Sequence, residues 1–233
     1  MSKTTIPRGG ITADAIDGTL IADDAINSEH FTDGSIDTAH IGDNQVTAAK
    51  ATGVGGLALV GSSESSSSAA AVTFDSVFSS TYRAYKIIGM IAPSTSTTVK
   101  WRFRSGGSDV NSSHYSKAER SMHVDSSNNV DFQNSVATNA STHGTLGGAG
   151  CDSDSNNDFV GFDITIYDPN TDVFGKPVVT GLNTYRNAGS NKIYISYLGT
   201  IMDTNPNADG IKFETDSGTL LFHSIRVYGI VNS

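Results

Sequence analysis

The chain has 233 residues and a net charge of −9, with 24 acidic residues against 15 basic ones. That balance argues against nucleic-acid binding, for which a basic stripe is expected, and against charge-driven adhesion to anionic membranes. Charged residues make up only 17% of the chain, while Ser, Thr, Asn and Gly abound, which is typical of β-rich surface and fibre proteins rather than of helical enzymes.

The N-terminal part of the chain carries an apolar residue at every fifth position. The series is Ile6, Ile11, Ile16, Ile21, Ile26, Phe31, Ile36, Ile41, Val46 and Ala51. A period of five matches neither the 3.6-residue period of a helix nor the two-residue period of a strand. Because Asp, Gly and Asn between the apolar residues suit turns, the pattern predicts a turn in every repeat.

One apolar residue in five cannot form a core inside a single thin chain, whereas several copies wound about one axis bury it. The series therefore predicts a multi-chain shaft over residues 11–52, with a core of Ile11, Ile16, Ile21, Ile26, Phe31, Ile36, Ile41 and Val46. A single-chain pentapeptide β-helix and a disordered arm are the alternatives. The β-helix places a small residue two positions before its central apolar residue, and here that slot holds Asp14, Asp24, Gly34 and Asn44.

The run from Ile11 to Asn27, which reads ITADAIDGTLIADDAIN, resembles the Ile/Asp-rich repeats in tail-fibre and other appendage proteins of tailed bacteriophages. The resemblance covers about the first fifty residues. It implies a trimeric, fibrous virion component that is made in the host cytoplasm. Residues 1–10, which precede the shaft, are expected to be a mobile end or to dock into another virion protein. No apolar leader follows Met1 and no stretch approaches 18 apolar residues, so neither a secretion signal nor membrane insertion is expected.

Beyond the repeats the composition changes twice. Gly53, Gly55, Gly56 and the Ser-rich residues 61–70 predict a linker over residues 53–70. Over residues 71–233, alternating runs separated by Gly, Asn, Asp, Ser or Pro predict seven or eight strands. Each of four sets is predicted to share one strand face: Val99, Trp101 and Phe103; Phe162, Ile164 and Ile166; Ile193, Ile195 and Tyr197; Ile225 and Val227. The fold class predicted for the chain is all-β, a trimeric repeat shaft followed by a jelly-roll-like β-sandwich head.

Residues 105–158 form the longest stretch without a strand pattern, and a loop region of that length is usually functional. Near its end Asp152, Asp154, Asn156 and Asp158 alternate as in a calcium loop. Asn157 stands where such loops need Gly, so a solvated acidic loop is the favoured reading. Neither a metal nor another cofactor is predicted.

Histidines provide two further patterns. His30 and His40 occupy one slot of successive ten-residue repeats, and in a trimer each could form a ring that holds a metal or senses pH; outward-facing polar residues are the alternative. His114, His123 and His143 lie near serines, as a nucleophile and its base would. No Gly-x-Ser-x-Gly elbow accompanies them, so the chain is not expected to be an enzyme. The single cysteine, Cys151, excludes an intramolecular disulfide.

Aromatic residues supply the predicted recognition site. Trp101 and Phe103 alternate with charged residues and are assigned to the core, whereas Tyr115 and Tyr185 are set among Ser, Asn and Gly and are predicted to be exposed receptor contacts. The predicted function is that of a homotrimeric tail fibre, attached by its N-terminus to another virion protein and binding a host cell-surface glycan or protein with its head. A capsid-borne head fibre or decoration protein is the alternative, and a cell-surface glycan hydrolase is a third possibility.

Overall fold

The structure, a computed structural model, describes residues 10, 21, 26, 29, 31–36, 39–42, 45–46, 56–111, 113–151, 159–170, 176–187 and 192–231; of residues 136–140 and 148–150 only the backbone is described. The chain divides into two compact units, Met1–Thr52 and Gly53–Ser233. The division falls where the shaft was predicted to end.

The first unit contains turns within its repeats. The N–H of Ser35 donates to the carbonyl of Thr32 at 2.9 Å, and the N–H of Gln45 donates to that of Gly42 at 3.1 Å. The predicted turn is thus confirmed at these two places, ten residues apart. The described members of the apolar series are 38% to 56% exposed in the single chain: Ile21, Ile26, Phe31, Ile36, Ile41 and Val46. Ile11, Ile16 and His30 lie outside the described residues.

The second unit is built from strands, and the part of the chain that the structure describes contains no α-helix. The strands are β1 (Leu57–Ser65), β2 (Ala71–Phe74), β3 (Ala84–Pro93), β4 (Thr97–Ser105), β5 (Ser108–Asp109), β6 (Tyr115–Val124), β7 (Val130–Ser141), β8 (Gly144–Cys151), β9 (Val160–Tyr167), β10 (Val178–Asn187), β11 (Lys192–Met202), β12 (Gly210–Thr215) and β13 (Leu220–Ile230). All of their pairings are antiparallel. The all-β prediction is confirmed. Among these residues, no helix is long and apolar enough to cross a membrane.

The strands form two layers, and the arrangement is sandwich-like. A large sheet has the order β7-β6-β11-β10-β9-β3-β13-β1, and a small sheet has the order β8-β4-β12-β2, with β5 beside β4. A single residue pair, Asn187 with Cys151, joins the two sheets through β10 and β8. Across the core, the ring of Phe162 in the large sheet stacks on that of Phe213 in the small sheet, with centroids 5.4 Å apart.

Alternation along the strands determines which side chains fill the core. Val99, Trp101 and Phe103 on β4 are fully buried, as are Ile164 and Ile166 on β9 and Ile225 and Val227 on β13. On these three strands the residues predicted to share one face do so, and that face is turned toward the core. Trp101 packs edge-on against Phe103 and Tyr115, with ring centroids 5.2 and 5.7 Å away, which is the arrangement that aromatic rings prefer.

The predicted linker is wrong for residues 57–65, which form β1 and pair with β13 from Leu57↔Ile230 to Ser65↔His223. The hydroxyl of Ser63 lies 2.9 Å from Nε2 of His223 and helps to fasten this strand. A Ser-rich segment can serve here because an edge strand is held by main-chain hydrogen bonds and needs few apolar side chains.

The prediction of a long loop over residues 105–158 is also wrong, because β5 to β8 lie within it. β6 and β7 form a hairpin whose turn is closed by Asp125, which accepts hydrogen bonds from the N–H groups of Ser127 and Asn129 at 2.8 and 2.9 Å. Asn128 has φ 62° in this turn, a conformation that Asn tolerates better than most residues. Because β6 and β7 are rich in polar residues, the sequence pattern did not identify these two strands of the large sheet.

Candidate binding surface

The outer face of the large sheet carries the most prominent exposed side chains of the second unit. On β11 the inward set contains Tyr194, Ser196 and Leu198, so Ile193, Ile195 and Tyr197 point outward. The prediction that these three residues share one face is confirmed, and that face points outward: Ile193 is 55% exposed and Tyr197 is 69% exposed.

Neighbouring strands decide this orientation. Tyr194 is paired with Tyr185 on β10 and with His123 on β6. Its ring stacks on that of Tyr185 with centroids 5.0 Å apart, and the ring of His123 lies 4.8 Å away on the other side. This inward aromatic row fixes the phase of β11, because successive side chains of a strand point to opposite faces.

Tyr197 stands between two shallow grooves. The first has a volume of about 370 Å³, and its lining residues are Tyr197, Leu182, Lys86, Asp163, Thr165, Thr180, Gly181 and Leu198. Lys86 and Asp163 form an ion pair on neighbouring strands. Two outward-facing glycines nearby, Gly161 and Gly199, leave this part of the sheet surface without side chains. A Cβ on Gly161 would meet no atom within 4 Å, and one on Gly199 would meet only the carbonyl of Ala118 at 3.8 Å.

The second groove has a volume of about 450 Å³ and is lined by Tyr197, Ile195, Met122, Phe132, Arg120 and Ser121. The guanidinium of Arg120 lies over the ring of Phe132, 5.5 Å from its centroid, within the range of a cation–π contact. Phe132 is 56% exposed. The two grooves thus differ in chemistry: hydroxyls and an ion pair line the first, and apolar side chains line most of the second.

An exposed aromatic ring beside hydroxyls and a carboxylate is suited to an amphipathic ligand. The face of Tyr197 can stack on apolar C–H groups, while Asp163 accepts and Lys86 donates hydrogen bonds to ligand hydroxyls. Open grooves of this kind bind without enclosing the ligand. Enclosure and exclusion of water are what most catalytic sites need, and neither groove provides them.

Both tyrosines predicted to contact a receptor are buried, so that prediction is wrong. Tyr115 is fully buried; its hydroxyl accepts a hydrogen bond from the N–H of Phe103 at 2.9 Å and donates one to the carbonyl of Val110 at 3.1 Å. Burial also raises the pKa of Tyr115 well above its ordinary value. Tyr185 is 6% exposed and stacks on Tyr194. The prediction relied on the polar residues next to each tyrosine in the sequence. In a strand those neighbours point to the face opposite the tyrosine, so their polarity does not show where the tyrosine lies.

The three histidines predicted as possible bases do not converge on one site. His114 lies 3.7 Å from Asp203, Nε2 of His123 lies 2.8 Å from Nζ of Lys192, and Ser141 donates to the main-chain carbonyl of His143 rather than to its ring. Asp152, Asp154, Asn156 and Asp158 lie outside the described residues. Among the residues described, no three His, Cys, Asp or Glu side chains are grouped to hold a metal ion.

A serine–histidine pair does occur between Ser63 and His223, on β1 and β13. Nδ1 of His223 is buried and has no hydrogen-bond partner in the described part of the chain, so nothing there orients the ring as a catalytic base requires. Burial lowers the pKa of His223. The pair joins the edge strand β1 to β13 through a side-chain hydrogen bond.

Sequence reasoning missed Tyr197 and Phe132. A signal was present in the run from Ile193 to Met202, which carries bulky apolar residues on both faces: Ile193, Ile195, Tyr197 and Ile201 on one, and Tyr194, Leu198 and Met202 on the other. A strand with two apolar faces can bury only one of them in a two-layer fold that leaves the outer faces open, so one face of this run had to be exposed.

No model of a protein family matches this chain, and no curated protein matches it. Among solved structures, one similar chain is described as sucrose-6-phosphate hydrolase from Lactobacillus gasseri, at 11% sequence identity and a TM-score of 0.28. The similarity covers 70% of this chain and 28% of that one. At that TM-score it carries no argument about function.

Proposed function

We propose that this chain is a fibre component of a phage particle: a homotrimer with a repeat shaft and a jelly-roll-like head that binds a host cell-surface glycan. The observation that carries the binding role is the exposed ring of Tyr197 beside the first groove. The repeat series supports the shaft, since Ile21, Ile26 and their equivalents are half exposed in a single chain and would be buried against copies.

The chemistry of the first groove favours a glycan as ligand. Sugar rings present C–H groups on one face and hydroxyls around their edge, which match the ring of Tyr197 and the side chains of Asp163, Thr165 and Thr180. A shallow site of this kind is weak by itself. Three copies on one fibre raise the effective concentration, so that overall binding exceeds the single-site affinity by orders of magnitude.

Binding of the full-length protein to an array of bacterial surface polysaccharides tests this role. Tyr197→Ala should weaken binding about tenfold, because removing a central contact ring costs on the order of 1–2 kcal/mol. Tyr167→Ala is the matched control: Tyr167 is 45% exposed on β9 and lines neither groove. Equal binding by the two variants, or release of sugar from the bound glycans, would overturn the proposal.

The fibre role has its own two tests. Light scattering should give three times the chain mass of 24.4 kDa, and Ile21→Asp with Ile26→Asp should lower that mass, because carboxylates would face one another on the axis. Antibody labelling of phage particles in the electron microscope should mark the tail. Label on the capsid would instead support the head-fibre or decoration alternative, and a monomeric mass would refute the shaft.

A further inference from the structure

Two complete apolar rows cross the outer face of β7, β6 and β11. The pairing register aligns Val130 with Val124 and Ile193, and it aligns Phe132 with Met122 and Ile195. Val130, Phe132 and Ile193 are each 55% or 56% exposed, and the other three are partly exposed. These six side chains are called the apolar surface below. It adjoins Tyr197 on β11 but extends from there to the edge strand β7.

The outer face of the small sheet shows how this fold otherwise treats an outer surface. There Lys100 lies 2.6 Å from Asp216, Arg104 lies 2.6 Å from Asp75, and Lys212 lies 2.8 Å from Glu214. Ion pairs such as these keep a sheet face compatible with water. On β7, β6 and β11 neither row of the apolar surface contains a charged side chain, so leaving it in water forgoes the stabilisation that burial of apolar area provides.

We infer that the apolar surface is covered by a second copy of this chain, as a contact between the Gly53–Ser233 units of two protomers. An interface of standard size buries about 800 Å² per partner, of which a little over half, roughly 450 Å², is apolar. Six side chains, three of them more than half exposed, supply apolar area on the order of that amount. The surface also has the composition of an interface centre, with Phe and Met inside the rows and Arg beside them.

Two observations favour a copy of the chain over an unrelated protein. The Met1–Thr52 unit also exposes an apolar series, from Ile21 to Val46, and association of identical chains would cover both sets at once. The rim of the apolar surface carries Arg186, which continues the row of Ile193 onto β10, and Arg120, which lies in the next row between Asn134 and Tyr197. A chain of net charge −9 offers carboxylates to such arginines.

This inference concerns the contact between Gly53–Ser233 units and does not rest on glycan binding; it shares with the proposed fibre role only the exposed apolar series of the Met1–Thr52 unit. The experiment therefore measures burial of the apolar surface directly. Cys151 is fully buried, so a cysteine introduced on the surface is the only fast-reacting thiol in the full-length protein. Ile193→Cys reports on the apolar surface, and Ile88→Cys, at a 45% exposed position on the outer face of β3, is the control.

At tens of micromolar protein, the thiol of Ile193→Cys should react with a thiol reagent about tenfold more slowly than that of Ile88→Cys. Adding Phe132→Glu to Ile193→Cys should bring the two rates together, because a carboxylate placed in the contact opens it. Equal rates for the two single variants at every concentration would overturn the inference. So would slow reaction that persists with Phe132→Glu, since the protection would then come from within one chain. Phe132→Cys replaces Ile193→Cys if the latter does not fold.

Discussion

Gly144 offers a sharp test of how closely β8 packs against Trp101. It lies on β8 directly opposite Trp101 on β4. A Cβ at this position would fall well inside 3.0 Å of Cε2, Cζ2 and Nε1 of the indole. The indole ring cannot move away from this Cβ, because it is fully buried and the rings of Phe103 and Tyr115 pack against it with centroids 5.2 and 5.7 Å away. Gly144→Ala must therefore displace Trp101 or part the two strands.

The cost can be estimated from overpacking of well-filled cores, which is typically 1–3 kcal/mol and occasionally more. Since Trp101 is held by rings on its other sides, we expect the upper end, about 3 kcal/mol. A domain of this size has about 5–15 kcal/mol of stability, so the variant should remain folded. Gly161→Ala is the matched control on β9, where a Cβ meets no atom within 4 Å. It should change stability by less than about 1 kcal/mol, in the stabilising direction through the unfolded chain.

Urea unfolding followed by tryptophan emission measures both variants. The chain has one tryptophan, and it lies at the packed site, so the signal reports on the Gly53–Ser233 unit alone. A lower urea midpoint at unchanged slope is expected for Gly144→Ala. A loss below about 1 kcal/mol, or equal losses for Gly144→Ala and Gly161→Ala, would refute the close approach of β8 to Trp101.

Three further predictions use the same assay or a simple reagent. Tyr85→Phe should cost about 1–3 kcal/mol, because the buried Tyr85 hydroxyl accepts from the N–H of Ser79 at 2.7 Å and donates to its carbonyl at 2.9 Å; a neutral effect would contradict that bond. Burial and nearby cations lower the pKa of His143 to about 4. The unfolded chain therefore binds the proton first as pH falls from about 6.5 to about 4, and stability should fall over that window less in His143→Gln than in the parent; identical pH profiles would contradict this. Burial raises the pKa of the Cys151 thiol to about 12, so a thiol reagent should react only after urea is added, and reaction with the folded chain would show that the site is open.

The sequence by itself determined those features that depend on local pattern. Val99, Trp101 and Phe103 alternate with three basic residues, and only the apolar set can face a core. The same reasoning placed Phe162, Ile164 and Ile166 together on one strand face, and likewise Ile225 and Val227, and the structure buries both faces. The turns in the repeats followed from Asp, Gly and Asn, whose preference for turns is a property of the residues themselves.

The tertiary structure alone decided which face of an ambiguous strand is buried and which polar segments are strands. On β11 both faces are apolar, and the inward face was selected by Tyr185 and His123 on strands distant in sequence. β1 is Ser-rich and becomes a strand because β13, about 160 residues later, supplies its hydrogen bonds. Neighbouring strands and the opposing layer likewise decide that Tyr197 is exposed and that Tyr115 is buried. Alternation establishes that a strand has two faces, whereas the layer packed against it determines which one is removed from water.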